Sequence, residues 1–134
     1  MAWLRTILFG GVFYSGSLLF VLGAMVAGVF SHGALLRAAA GWSRFHRWCV
    51  TNLLGIRIRI EGERPAGQVF YVMRHESFFE AIDLPTFLAP FPVVFAKIEL
   101  IRIPLWGALA ARYGVVPVDR SRGASALRGM KRAA

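Results

Sequence analysis

The sequence predicts an α/β domain carried behind membrane-associated helices. Three observations predict it. No Lys, Arg, Asp or Glu occurs between Arg5 and Arg37. The stretch that follows, to Leu53, places basic and apolar residues at helical spacing, and beyond Gly55 short β-branched runs alternate with helix-like segments. The apolar share of 57% and mean hydropathy of +0.56 exceed the roughly 45–50% apolar content usual for soluble domains. Residues 1–54 therefore form a membrane-associated helical segment, and residues 55–134 the αβ unit.

Residues 6–30 form a hydrophobic helix, long enough to cross about 30 Å of hydrocarbon. A secretory signal cleaved near Ala24–Ala27 is the competing reading, although its apolar core would run about 7–15 residues. Gly10, Gly11, Gly16, Gly23, Gly28 and Gly33 recur through the segment. They either bend it to re-enter one leaflet or allow close helix packing. Residues 35–53 read as an amphipathic interfacial helix. Leu35, Ala39, Trp42, His46, Cys49, Val50 and Leu53 fall on one side, and Arg37, Arg44, Arg47 and Thr51 opposite. The same stripe also suits a helix packed on a protein core. His46 reads as a packed histidine rather than a ligand. Cys49 stands alone, so no internal disulfide forms.

The remainder reads as strands and helices in turn. Ile56–Ile60 has period two and ends at Gly62 and Pro65; Val69–Met73 is a continuous apolar run, as in a central strand. Ser77 opens a short helix that Pro85 limits or kinks. Val93–Lys97 is a third strand, Pro104 starts a helix, and Gly114 closes it. Val115–Val118 is a fourth strand, with Pro117 forcing an edge or bulge, and a last helix begins near Ala124.

The chemistry concentrates in Tyr71–Leu84, YVMRHESFFEAIDL. His75 and Glu80 are five positions apart, which on a continuous helix turns them about 140° from each other. They meet only if His75 sits in the turn before a helix and Glu80 in its first turn. An imidazole with pKa near 6.5 suits removal of a hydroxyl proton when a carboxylate fixes its other nitrogen. Ser77-x-x-Glu80 is also a capping box, so Glu80 either orients His75 or caps the helix.

Downstream come Lys97-Ile98-Glu99-Leu100, Ile103-Pro104-Leu105-Trp106-Gly107, and Gly114-Val115-Val116-Pro117-Val118-Asp119-Arg120. With HxxxxE, this order resembles the glycerolipid acyltransferases, specifically the 1-acyl-sn-glycerol-3-phosphate (lysophosphatidate) acyltransferase group. Glu80 stands where the family usually has aspartate, and Pro117 where an aromatic or aliphatic residue is common. The resemblance implies His75 as general base, Glu80 as its partner, and Lys97 and Arg120 as ligands of the substrate phosphate. A strand-end lysine in solvent, and an arginine paired with Asp119, are the competing readings of those two. Glu99 and Gly107 read as structural. The family's later Glu-Gly-Thr-Arg block has no counterpart before Ala134, which implies the front part of an enzyme with little activity alone.

The resemblance implies acyl-CoA or acyl carrier protein as donor, a lysophosphatidate-type acceptor, and neither metal nor cofactor. Membrane lipids are the expected partners. The net charge of +9 suits anionic headgroups, and no nucleic-acid motif accompanies it. The expected location is the cytoplasmic face of the inner or plasma membrane. A non-catalytic, membrane-bound lipid-binding or interaction module is the alternative.

Overall fold

The computed structural model describes residues 2–63, 65–74, 76–88, 91–123 and 128. Helix α1 (Ala2–Phe30) turns at Ser31 into α2 (His32–Cys49), which ends in a π-helical turn over Val50–Leu54. Ser31 is extended and its hydroxyl accepts the Ala34 N–H at 3.0 Å, capping α2. Gly55, at φ 74°, closes the π-turn. There the Arg5 guanidinium donates to the Leu54 carbonyl at 3.4 Å, so the first turn of α1 meets the last turn of α2. The two helices run antiparallel along their whole length, with a cation against exposed carbonyls at the far end.

Small residues let the helices interlock. The Phe45 ring lies over Gly16, where a Cβ would come within 2.4 Å of it. In the reciprocal position Phe20 covers Gly41, where a Cβ would come within 3.1 Å of its ring. Trp42 Nε1 donates to Ser17 Oγ at 2.8 Å. Of the two readings of the glycines, Gly16 thus follows close packing, and α1 is a single unbroken helix. Gly10, Gly11 and Gly23 face open space. The outward side of α1, with Leu4, Leu8, Leu18, Leu22 and Val29, is uncovered.

The predicted faces of α2 hold with one correction. Leu35, His46, Cys49 and Val50 are buried, and Arg37 and Arg44 are exposed. Arg47, expected on the exposed basic face, instead forms a two-point ion pair with Asp83, whose side chain is only 6% exposed. The physical reason is a third helix. α3 (Phe78–Phe87) packs on α2, so α2 has two covered sides where a single apolar stripe suggests one. Ser43 and Thr86 share a hydrogen bond at 2.7 Å, and the His46 ring meets Phe79. His46 is a packed histidine, also touching Phe9 and Phe13.

After Ser77 the chain forms α3, which runs two residues beyond Pro85 and ends at Phe87. Strand β1 (Phe95–Lys97) leads directly into the short α4 (Ile98–Ile101), then α5 (Trp106–Tyr113) and strand β2 (Val116–Val118). Gly114, at φ 104°, caps α5 as the sequence predicts. Strands β1 and β2 pair in parallel with Lys97 opposite Val118, and Pro117 sits within this pair.

The four-strand expectation is corrected to two strands among the described residues. Ile56–Ile60 and Val69–Met73 form no ladder and are largely exposed. Alternation and apolar runs state which side chains favour burial, but a strand also needs a neighbouring edge for its N–H and C=O groups. Phe70 does reach the Phe95 ring of β1, at 6.0 Å. The described fold is mostly helical with a small parallel sheet. The helix expected near Ala124 falls largely outside the described residues.

Two outcomes follow. Gly16→Leu forces Phe45 off α1, and overpacking of this kind costs about 1–3 kcal/mol; thermal unfolding in detergent should show the loss. Burial lowers the His46 pKa from its ordinary 6.5, with the Asp83 charge opposing. The unfolded chain then binds the proton more readily, so this stability is complete above pH 6.5 and falls as pH drops below it. The melting temperature should decline on acidification, and His46→Leu should flatten that decline.

Candidate functional site

The parallel pairing of β1 and β2 sets one sheet edge. Lys97 is the last residue of β1 and lies opposite Val118, so Arg120, two residues on, emerges at the same C-terminal edge. Open α/β sheets place their ligands at this edge. A recess of about 530 Å³ forms there, lined by Lys97, Arg102 and Arg120 together with Glu99, Asp119 and Ser121. Ile98 and Leu100 supply its apolar wall. Asp119 accepts from the Ser121 amide at 3.0 Å and hydroxyl at 2.5 Å, which holds the 3-10 turn Arg120–Arg122. Among the described residues neither Lys97 nor Arg120 takes part in an ion pair.

The segment after α4 turns the chain back into α5. Gly107 lies so close to Ile101 that a Cβ would meet its carbonyl oxygen at 1.9 Å. Only glycine lets α5 start there, as expected of a structural residue in that block. Just before it, Leu105 adopts φ 64° and ψ −59°, and Trp106 N–H donates to the Pro104 carbonyl at 2.7 Å. This is a γ-turn of the rarer, strained kind. It folds the chain back sharply between α4 and α5.

Glu80 is in the first turn of α3, where the sequence places it. Its Oε2 accepts the Ser77 amide at 3.0 Å and the Ser77 hydroxyl at 3.1 Å, and the Ser77 hydroxyl accepts the Phe79 amide at 3.1 Å. The capping box is therefore formed. The cap uses lone pairs of the carboxylate and leaves its charge in place. His75 lies outside the described residues. Adjacent Glu76 pairs with Arg74 on the surface at 2.7 Å.

Of the four residues singled out from the sequence, Lys97 and Arg120 share the recess, and Glu80 is not among its lining. Two residues escaped sequence reasoning. Arg102 joins the recess because α4 is a single turn that brings it back beside Lys97. Asp83 is buried beneath Arg47; its one available signal was an acid inside an apolar helix, three residues after Glu80.

An acyltransferase family model matches residues 55–134, more than half of the chain. No curated protein and no solved structure matches it.

The capping box supplies a separating test. Glutamine also closes such a box, so Glu80→Gln should keep the stability of α3 while removing the charge. Ser77→Ala should cost about 1 kcal/mol and leave the charge in place. Thermal unfolding measured beside acyl-transfer rates should show Glu80→Gln stable but slow and Ser77→Ala less stable but still active. A fully active Glu80→Gln would reduce Glu80 to a helix cap.

Proposed function

The chain belongs to the acyltransferase family, and from that premise we propose that it acylates a lysophosphatidate-type acceptor at a membrane surface. The observation that carries this is the meeting of Lys97 and Arg120 at one edge of the parallel pair. A guanidinium presents paired donors to phosphate oxygens, and an ammonium adds a mobile point charge. The recess has room for a phosphate headgroup, and its apolar wall suits the glycerol carbons.

His75 acts as general base in this reading. The acceptor hydroxyl oxygen attacks the carbonyl carbon of an acyl thioester, forming the C–O bond as the imidazole takes the hydroxyl proton. Collapse of the tetrahedral adduct breaks the C–S bond, and the imidazolium returns the proton to the departing thiolate. Glu80 steadies the imidazolium and holds its tautomer. The donor is acyl-CoA or acyl carrier protein.

The hairpin supports the membrane half of the proposal. α1 is long and apolar enough to cross a bilayer, and most of its large side chains are uncovered. However, α2 runs beside it for its whole length and carries exposed Arg37 and Arg44. Drawing those arginines to mid-bilayer would cost about 2.5–3.5 kcal/mol each or more. The hairpin therefore lies along the interface, with the apolar side of α1 among the acyl chains and the arginines at headgroup level. The Phe45–Gly16 and Phe20–Gly41 contacts favour retention of α1 over cleavage as a signal.

The test uses membranes from cells expressing the protein, a radiolabelled acyl thioester and lysophosphatidate. His75→Ala should lower turnover about 10²–10⁴-fold, the usual worth of general-base catalysis. Lys97→Ala should mainly raise the acceptor KM and leave the donor KM less affected. Saturable acceptor binding without turnover would instead favour a lipid-binding module.

A further inference from the structure

An aspartate buried in an apolar helix is costly unless its charge is met, and α3 holds such a residue. Asp83 is 5% exposed. Arg47 of α2 meets it with two donors, Nε to Oδ1 at 2.8 Å and a second nitrogen to Oδ2. This fork fixes orientation as well as distance, since both planar groups must lie in line. The contact is flanked by the Ser43–Thr86 hydrogen bond on one side and the His46–Phe79 ring contact on the other. α3 is thus held on α2 at three levels, and only the central one is strongly directional. Asp83 follows Glu80 by three residues, nearly one helical turn. Any rotation of α3 about its axis swings the Glu80 carboxylate with it.

We propose that the Arg47–Asp83 pair is a positioning device for the acyl-transfer site, setting the rotation of the Glu80 helix on the hairpin. This rests on the acyl-transfer reading above. The pair ties the second helix of the hairpin to the element that carries the catalytic carboxylate, so seating of the hairpin and alignment of the carboxylate become one event. A purely stabilising role predicts something different. A buried ion pair is often replaced by well-packed apolar residues without loss of stability, yet apolar contact does not reproduce the directional lock. Geometric misplacement of about 1 Å costs about 10²-fold in rate.

The experiment compares wild type, Asp83→Asn, Arg47→Met and the double variant Arg47→Met/Asp83→Leu, in detergent and in membranes. Amide hydrogen exchange across Phe78–Phe87 should quicken at least about tenfold in Asp83→Asn while α1 and the first half of α2 stay protected. The kcat of both single variants should fall about 10–100-fold with the acceptor KM little changed. The double variant should regain the wild-type melting temperature and keep the low kcat. Recovery of kcat together with melting temperature would overturn the proposal, because the pair would then be replaceable packing. Unchanged exchange across Phe78–Phe87 in Asp83→Asn would overturn it whatever the assay reads. Failure of the acyl-transfer reading shows separately, as a wild-type protein that transfers no acyl group or one indifferent to His75→Ala. In that case exchange alone decides whether the pair holds α3.

Discussion

Phe45 lies over Gly16 and Phe20 over Gly41, and the separation these contacts set between α1 and α2 governs the rest of the fold. With α1 held close, α2 keeps its opposite flank for α3. His46 is buried between the two neighbours, against Phe9 and Phe13 of α1 and Phe79 of α3. A two-helix hairpin alone has little core, and here its second helix gains stability by covering a third. The C-terminal half rests on the same platform, since α5 also contacts α1 and α2.

Charge is distributed along α2 according to what covers each face. Arg37 and Arg44 meet solvent, whereas Arg47 is drawn over α3 and its hydrogen bonds to Asp83 raise its pKa above an already high ordinary value. The same aspartate acts on His46, but burial has the larger effect there and lowers its pKa. The hairpin presents Arg37 and Arg44 outward.

The sequence made the long elements legible because their signals are local. Ser77 caps α3, Gly114 closes α5, and the apolar runs before Lys97 and Arg120 become the parallel pair. That Lys97 and Arg120 share an edge followed from their places at strand ends. What was hidden is relational. Helical spacing put Arg47 on the exposed side because a single stripe cannot reveal a second partner helix. Ile56–Ile60 and Val69–Met73 carry strand-like patterns without a neighbouring edge to pair with. Arg102 joined the recess as the residue that ends the single turn of α4, a backbone path that residue types do not encode.

In the proposed function the recess lined by Lys97 and Arg120 selects a phosphate-bearing acceptor for acyl transfer. It is tested most directly by comparing kcat/KM for lysophosphatidate with that for the monoacylglycerol lacking only the phosphate, using one acyl thioester and membranes carrying the protein. Two charge-assisted contacts at about 1.5–3 kcal/mol each predict a preference for lysophosphatidate of at least about 100-fold, reduced sharply in Lys97→Ala and Arg120→Ala. Equal rates on the two acceptors would contradict the account.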